Sequence, residues 1–341
     1  MTNLLDLYLR TLALCEPARL LREKLPPNHP RNVVAIGKCA GALLDGFDDF
    51  DHAFVAIPEG YKPPRRQAEV HIGGHPQMTG ASFEAGRALL EFVGSHDDIT
   101  FVISGGGSAC VDVPAKGFSE EQIIETNAKL IASGLPISEI NAQRKKMSAI
   151  KGGKLRARKK QLVMIYSDVA TGRLSDVASG PVDTRDAILI ADNTTLVQTA
   201  ASLIDNAIVL DEQIECDVEE AAQRLVRATK AKHVLVAGGE PTVKIKGDGR
   251  GGRDTELAVR FALAAQSIDG AALFASSDGV DGNSGVAGIH LPRIPRIGNS
   301  HEIDAALGRS DSLPIATQLG EPIMIAPAGN NLRDLFLVAR D

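Results

Sequence analysis

The chain has 341 residues, a formal net charge of -6 at pH 7, 44% hydrophobic residues and 23% charged residues. This composition is that of an ordinary globular protein, which argues against global disorder, and the length predicts about two domains. The negative net charge argues against a chain-wide nucleic-acid surface. No apolar stretch reaches the roughly 18 residues of a transmembrane helix, so we expect no membrane partner.

Cysteine and histidine usage indicates a reduced protein without a zinc site. The four cysteines lie far apart and form no C-x-x-C pair, and the eight histidines lack a paired ligand spacing. The N-terminus carries Asp6 and Glu16 and lacks the basic start and smooth apolar block of a signal peptide. The sequence therefore favours a cytoplasmic location.

In chain order, the first feature is a set of leucines at near-helical spacing, which predicts a helix over 3–24 that ends before Pro26. Beyond it a unit recurs, made of a short apolar run, a break rich in Gly, Ser or Asp, and a helical pattern. The apolar runs are 33–36, 100–103, 162–165, 233–236 and 272–275. The main helical patterns are 119–133, 140–158, 217–230 and 254–266.

The apolar runs are nearly continuous rather than alternating, as in strands that are covered on both faces. Their alternation with helices predicts a layered α/β protein with mainly parallel sheets. A domain boundary is expected near residue 230, and the proline-rich region 291–326 has the weakest pattern. Open α/β sheets bind ligands beyond the carboxyl ends of their strands, so the polar breaks are the candidate site.

The strongest break is Ser104-Gly105-Gly106-Gly107-Ser108, directly after an apolar run. Glycines let a backbone approach a ligand, and successive N–H groups can cradle an anion, although a tight strand-to-helix turn uses the same residues. Lys38 follows another run and precedes small residues that leave room above it. The spacing is not that of a Walker A loop. Lys38 is therefore a candidate site cation, with a solvated surface lysine as the alternative.

Carboxylates follow two further apolar runs, at Asp168 and at Asp278 with Asp281. Carboxylates there can hold Mg²⁺ or accept a proton from a substrate hydroxyl, and turn formation is the alternative use of aspartate. A Gly-rich break contains Arg253, and Gly239-Glu240 lies just upstream of it. Arginine grips carboxylate and phosphate groups bidentately, so this region favours anion chemistry.

A basic run extends from Arg144 to Lys160 without an acidic residue. Most such runs are solvated helix faces. A nucleic-acid helix is disfavoured by the absence of interleaved aromatic residues and by the acidic net charge. Gly152-Gly153 would cost a helix about 1 kcal/mol for each glycine relative to alanine, which suggests that the first half, with Arg144 and Lys151, faces a site.

Together these breaks supply phosphate cradles, cations and carboxylates, which is the set that phosphoryl transfer needs. A Ser-His-Asp hydrolase fits less well, because no G-x-S-x-G elbow is present. A nicotinamide enzyme also fits less well, because no full G-x-G-x-x-G follows a strand.

In this combination the sequence resembles the class II glycerate kinases, also called the MOFRL or DUF4147 family. The resemblance runs from about Val33 to Asp334 and rests on nine stretches in the same order. They are AIGKCAGAL, GGHPQMTGAS, ISGGGSA, NAQRKKMSAIKGGKL, SDVATGRLSDVASGPV, GGEPTV, GRGGRDTEL, SSDGVDGNSGVAG and PAGNNLRDL. Any one of them is weak evidence, whereas all nine in order are specific.

The resemblance implies a Rossmann-like N-terminal domain over 1–230 and a smaller, MOFRL-like α/β domain over 231–341, with the active site in an interdomain cleft. It implies a kinase that uses ATP and Mg²⁺ to convert D-glycerate to 2-phosphoglycerate. The catalytic residues carried over by matching motif are Lys38, Asp168 and Arg253. We interpret Lys38 and Arg253 as neutralising the phosphoryl group and the substrate carboxylate, and Asp168 as orienting or deprotonating the 2-hydroxyl.

The resemblance and the breaks together give further candidates. Those for substrate or phosphate binding are Ser104, Gly105, Gly106, Gly107, Ser108, Arg144, Lys151, Gly239, Glu240, Asp278 and Asn330. The candidate metal ligands are Asp278 and Asp281. The expected partners are a small acid and a nucleotide, not nucleic acid or a membrane, and a homodimer is left open.

The chain departs from the family pattern at three places. Asp254 stands where Asn is common, Ser277 stands where Thr is frequent, and the segment after Asp168 lacks the usual Gly-Asp-rich form. A reshaped pocket could therefore take a related sugar acid such as erythronate. A hydroxypyruvate reductase, and a sensor that binds a sugar acid or a nucleotide without turnover, are the remaining candidate functions.

Overall fold

A computed structural model describes residues 3–133, 137–170, 172–298, 300–326 and 329–341. The chain divides into two compact units. The first unit is Glu16–Asp192, and the second unit combines the residues up to Cys15 with Asn193–Asp341. Within the described ranges each unit is built on one six-stranded sheet with flanking helices, so the predicted α/β class is confirmed.

Strands and helices alternate along most of the described chain. The strands are β1 (Asn32–Ile36), β2 (His52–Pro58), β3 (Glu69–Gly73), β4 (Asp98–Ser104), β5 (Lys160–Tyr166), β6 (Ile188–Ala191), β7 (Ala207–Val209), β8 (His233–Gly239), β9 (Gly270–Ser276), β10 (Gly288–Leu291), β11 (Glu321–Ile323) and β12 (Asp334–Arg340). The helices are α1 (Leu4–Leu14), α2 (Pro17–Lys24), α3 (Ala40–Leu44), α4 (Gly80–Ser95), α5 (Gly107–Cys110), α6 (Glu120–Ala132), α7 (Ile137–Met147), α8 (Asn193–Ser202), α9 (Val218–Ala228), α10 (Arg253–Ala264), α11 (His301–Leu307) and α12 (Ser312–Leu319), with a 3₁₀ segment over Leu174–Ser179.

The sheet of the first unit is parallel throughout, in the order β3-β2-β1-β4-β5-β6. The apolar side chains of Val34, Ile36, Phe54 and Phe101 are buried in its core, so the strands β1, β2 and β4 are held by packing on the helices. This strand order is that of Rossmann folds, and it reverses between β1 and β4. Sheets of this kind bind ligands beyond the carboxyl ends of the strands at that reversal.

The sheet of the second unit is mixed, in the order β11-β10-β9-β12-β8-β7. β7 and β8 are parallel, whereas β12 lies antiparallel between β8 and β9, and β10 lies antiparallel between β9 and β11. The antiparallel strands were not predicted. Because β12 runs against its neighbours, its first residue, Asp334, lies opposite Gly239 and Ser276, which end β8 and β9.

All five predicted apolar runs lie in strands, namely β1, β4, β5, β8 and β9. Their side chains are almost entirely buried, which explains why the runs are continuous. The helices predicted over 119–133, 217–230 and 254–266 are α6, α9 and α10 within a few residues at each end.

Two predicted helices are shorter than expected. The helix over 3–24 is split into α1 and α2, because Pro17 lacks the N–H that a helix interior needs and begins a new helix, whose cap is the Glu16 carboxylate accepting from the Arg19 N–H at 2.8 Å. The helix over 140–158 ends at Met147. Gly152 and Gly153 lie beyond it, in a turn at positive φ.

The compact units do not coincide with the predicted division near residue 230. By packing, residues 193–230 belong with the second sheet, because β7 pairs with β8 and the α9 residues Val218, Ala221 and Leu225 enter the second core. No helix in the described ranges combines the length and the hydropathy that crossing a bilayer requires.

Candidate functional site

Lys38 lies just beyond β1, where the strand order of the first sheet reverses. Its backbone N–H donates to the carbonyl oxygen of Gly105, which follows β4, at 2.8 Å. Its side chain is half-buried, and Nζ lies 5.7 Å from the centre of the Tyr61 ring, within range of a cation–π contact. The fold therefore brings Lys38 to the Gly-rich break after β4.

Close packing between the ends of β1 and β4 holds the Lys38 segment. Gly37 has φ +115°, and a Cβ on it would lie 2.3 Å from the Ser104 carbonyl oxygen. A Cβ on Gly106 would lie 2.7 Å from Cγ of Lys38. Ser104 is buried, and its hydroxyl bonds to the backbone just before and just after Gly37-Lys38, at 3.2 and 3.1 Å. This packing accounts for Gly106 and Ser104, and their role as a phosphate cradle stays a prediction.

Ser108 connects the Gly-rich break to helix α7. Its hydroxyl lies 2.7 Å from Oγ of Ser179, which donates in turn to Oδ1 of Asn141 at 2.9 Å. Ser179 and Asn141 are buried, whereas Ser108 is half-buried. The chain of hydrogen bonds therefore fixes the orientation of the Ser108 hydroxyl, and two of its members, Ser179 and Asn141, were not predicted.

Asp168 follows β5, which is the neighbour of β4 in the sheet. The Ser167 N–H donates to the Ala191 carbonyl at 2.8 Å, and the Ser167 hydroxyl accepts from the Val169 N–H at 3.3 Å. These bonds anchor the backbone on both sides of Asp168, whose side chain is half-buried. Lys38, the Gly-rich break and Asp168 thus follow three adjacent strands, at the carboxyl ends of the first sheet.

Lys151 is a buried structural cation. Its side chain is 1% exposed, and Nζ lies 2.5 Å from Oδ2 of Asp112, which is equally buried. Asp112 also accepts from the Ser148 hydroxyl, at 2.5 Å. Burial lowers the pKa of Lys151, and the Asp112 carboxylate opposes that shift. The ion pair accounts for the burial of this lysine, and its role in binding phosphate stays a prediction.

Arg144 lies on α7 in a different setting. Its side chain is half-buried, and Nε donates to Oδ1 of Asn127 at 2.7 Å. In the described part of the chain its hydrogen-bond partner is thus an amide and not a carboxylate. Burial lowers the pKa of the guanidinium, which means that the charge is incompletely compensated. Such a group can bind an anion, and this role stays a prediction.

Arg253 is the first residue of α10, and carboxylates surround its guanidinium. Nε and Nη2 donate to the two oxygens of Asp334, at 2.5 and 2.9 Å, and Nη1 donates to Oε1 of Glu240 at 2.8 Å. Arg333 donates from Nε to the other oxygen of Glu240, at 3.3 Å. These groups come together because Glu240 follows β8, and Arg333 and Asp334 lie where β12 begins beside it. Arg333 and Asp334 were not predicted.

Asp281, Asp278 and Asn330 belong to the loops at the same end of the second sheet, where β8 and β9 end and β12 begins. The Asp281 oxygens accept the N–H groups of Asp254 and Thr255 at 3.0 and 2.9 Å, so they cap α10. Oδ1 of Asp278 accepts from the Ser276 hydroxyl at 2.8 Å. The Asn330 amide donates to the Leu12 carbonyl at 3.2 Å. In the described ranges, no three His, Cys, Asp or Glu side chains form a group that could hold a metal ion.

Asp254 is an unusual buried carboxyl group. Within the described chain neither of its oxygens has a hydrogen-bond partner. Burial raises the pKa of Asp254 well above its ordinary value, and the carboxylates of Asp334 and Asp281 raise it further. Burial also raises the pKa of Asp334 to about 6, although Arg253 opposes that shift. The cluster therefore favours a neutral Asp254, the protonation state that most resembles asparagine.

Comparison with known families identifies the chain. A family model described as "Domain of unknown function (DUF4147)" matches residues 3–237, and one described as "MOFRL family" matches residues 233–334. The chain belongs to this family. The two matches meet at residues 233–237, close to the predicted boundary near 230.

Several proteins similar to this chain are glycerate kinases by name. The D-glycerate 2-kinase of Thermotoga maritima is 27% identical over 94% of each chain. The glycerate 2-kinase of Sulfurisphaera tokodaii is 31% identical over 75% of this chain and 77% of its own. The crystal structure of glycerate kinase from Thermotoga maritima matches with a TM-score of 0.83, at 26% identity over 98% of each chain. The predicted family and the predicted α/β fold are thereby confirmed.

Proposed function

We propose that this protein is a kinase that transfers the terminal phosphoryl group of ATP to the 2-hydroxyl of D-glycerate, giving 2-phosphoglycerate and ADP. The proposal is carried by the arrangement at the carboxyl ends of the first sheet, where Lys38 and Asp168 follow the strands on either side of β4 and its Gly-rich break. Phosphoryl transfer needs little more than positioning and charge neutralisation. These strand ends supply a positioned cation, Lys38, and a positioned carboxylate, Asp168. The names of the relatives support the reaction.

Each residue has one task in this proposal. The Lys38 ammonium neutralises charge on the phosphoryl group, and the Asp168 carboxylate orients the 2-hydroxyl and accepts its proton. Arg253 supplies a second cation through Nη1, the nitrogen that contacts the partly exposed Glu240. The meeting of Lys38, Asp168 and Arg253 in an interdomain cleft stays a prediction.

We propose that Mg²⁺ arrives with the nucleotide as part of the substrate. Mg²⁺ is usually held by one or two carboxylates together with substrate phosphates, so it needs no cage of protein ligands. Asp281 fits a metal ligand poorly, because both of its oxygens cap α10. The assignment of Asp278 and Asp281 as metal ligands stays a prediction, and no step of the proposed transfer depends on these two residues.

A panel of hydroxy acids tests the substrate. The purified protein is incubated with ATP, Mg²⁺ and either D-glycerate or D-erythronate, and the products are identified by phosphorus NMR. A 2-phosphoglycerate signal is expected. Transfer to erythronate alone would move the proposal to a related sugar acid, and transfer to the 3-hydroxyl would correct the position. NADH oxidation with hydroxypyruvate, without phosphoryl transfer, would replace the kinase by a reductase, and tight binding of ATP or glycerate without either reaction would indicate a sensor.

Three variants test the residues of the first sheet. Lys38→Ala is expected to lower kcat by about 10²–10³-fold, and Asp168→Asn by about 10²–10⁴-fold, which are the usual costs of losing a positioned charge and a general base. Lys116→Ala, which removes an exposed lysine in a turn outside the strands and helices, is the matched control. Unchanged kcat in Lys38→Ala and Asp168→Asn would remove both assignments.

Two coarser expectations accompany the reaction. The four cysteines form no disulfide in the structure, and a cytoplasmic location is part of the proposal. A homodimer stays a prediction, which sedimentation equilibrium of the purified chain would check.

A further inference from the structure

Two arginines of the second unit converge on one carboxylate. Oε1 of Glu240 accepts from Nη1 of Arg253 at 2.8 Å, and Oε2 accepts from Nε of Arg333 at 3.3 Å. Each oxygen of Glu240 thus faces a different guanidinium. An anionic group held between two arginines is a common arrangement for a bound carboxylate or phosphate, because guanidinium donors match the spacing of two of its oxygens.

The groups around this carboxylate differ sharply in exposure. The side chain of Asp334 is fully buried and that of Arg333 is 7% exposed, whereas that of Glu240 is 41% exposed. Asp334 cannot leave Arg253 without burying an unpaired charge, which is costly. Glu240 can leave, because water can solvate its carboxylate at small cost.

The backbone of Glu240 is held independently of its side chain. The Glu240 N–H donates to the Ile214 carbonyl at 2.8 Å, next to the end of β8. Each arginine also keeps other partners if Glu240 leaves. Arg253 keeps both oxygens of Asp334, and Arg333 keeps Gln213 and Glu215, at 2.7 and 2.9 Å. Departure of Glu240 therefore requires only a rotation of its side chain.

We propose that the place of the Glu240 carboxylate is a binding site for an anionic group of the ligand, and that Glu240 occupies it until the ligand displaces it. The group carries at least two oxygens that can each accept from one arginine, as a carboxylate or a phosphate does. Arg253 and Arg333 are its two donors, and Glu240 acts as a built-in competitor that lowers the affinity for it. The proposal rests on the proposed function only for the source of the group, which is the nucleotide phosphate or the carboxylate of the acid.

Binding to Glu240→Ala tests the proposal without turnover. Inorganic phosphate and D-glycerate are titrated separately into the full chain at fixed ionic strength, and the dissociation constants are measured by calorimetry. Glu215→Ala is the matched control, because Glu215 has the same 41% exposure and pairs with Arg333, whereas Glu240 contacts both arginines. Glu240→Gln is the second variant, since it removes the charge and keeps the shape.

We expect Glu240→Ala to bind one of the two probes about tenfold more tightly than the wild type, as loss of a charge-assisted competitor implies. Tighter binding of phosphate assigns the site to the nucleotide, and tighter binding of D-glycerate assigns it to the acid. The proposal is overturned if neither probe binds more tightly to Glu240→Ala or Glu240→Gln, or if Glu215→Ala gives the same gain, since that indicates a general charge effect.

The outcomes separate this proposal from the kinase reaction. If the wild type phosphorylates D-glycerate and Glu240→Ala gains no affinity, the Glu240 site fails and the kinase stands. If the wild type transfers no phosphoryl group and Glu240→Ala gains affinity for phosphate, the site stands and the kinase fails. A merely structural ion pair would lower the thermal stability of Glu240→Ala and leave both dissociation constants unchanged.

Discussion

Replacement of Lys151 by methionine would leave a buried carboxylate without its counter-ion. Asp112 would keep the Ser148 hydroxyl at 2.5 Å and the Val113 N–H at 2.8 Å, and it would lose the ammonium at 2.5 Å. Methionine has nearly the length of lysine, so the variant leaves little cavity. The change therefore isolates the charge of Lys151 from its volume.

The expected loss in the free energy of unfolding is about 3–5 kcal/mol, which is the usual cost of removing one partner of a buried ion pair. The double variant Asp112→Asn with Lys151→Met should recover most of the stability, because no charge is then left unpaired.

Urea unfolding followed by circular dichroism measures these losses, and a double-mutant cycle gives the coupling between the two residues. The matched control is Lys129→Met, which breaks the exposed pair with Glu125 and should cost about 0.5 kcal/mol or less. The reasoning is refuted if Lys151→Met costs no more than that control. A tenfold rise in the KM for ATP at unchanged stability would instead restore the predicted binding role of Lys151.

Three further predictions concern single substitutions. Asp254→Asn should stabilise the protein by about 1–3 kcal/mol at pH 8, because asparagine is neutral at every pH and an acid with a raised folded pKa costs stability above its ordinary pKa. The wild type loses stability as pH rises through the folded pKa of Asp254, so the gain should shrink toward pH 4 in thermal melts. Gly37→Ala should destabilise by more than about 1 kcal/mol in urea titrations, since its Cβ would meet the Ser104 carbonyl oxygen at 2.3 Å and φ is +115°; wild-type stability would contradict this. Arg144→Ala should raise the KM for the acid or for ATP by about tenfold in steady-state assays, as loss of one charge-assisted contact implies. Unchanged KM values would instead make the guanidinium a structural partner of Asn127.

The strands that the sequence reveals are those with a continuous apolar run and a polar break. β2 has the same burial, with six consecutive buried residues, but its run 53–57 leads into Pro58-Glu59-Gly60 and not into a Ser or Asp break. β12 begins at Asp334, directly after Arg333, so its polar end precedes the apolar run. A search for sites after strands could find the ends of β8 and β9, and it could not find the start of an antiparallel strand between them.

The sequence could predict which residues of the candidate site follow strands, but it could not predict which charged side chains contact one another. The strand ends placed Lys38, Asp168 and Glu240 at carboxyl edges, as expected for α/β sheets. Of the two carboxylates that Arg253 contacts, Glu240 lies 13 residues away, whereas Asp334 lies 81 residues away. The position of β12 between β8 and β9 brings Asp334 to this site, and sequence spacing carries no signal for it.

Burial then decides which charged residues remain available for chemistry. Lys151 and Asp281 were also candidate site residues, but their charges are used inside the fold by an ion pair and by a helix cap. Lys38 and Asp168 are half-buried at strand ends, a setting in which a charge is held in place and still reaches a ligand. The assignment of phosphoryl transfer to Lys38 and Asp168 therefore depends on their exposure as well as on the motifs that contain them.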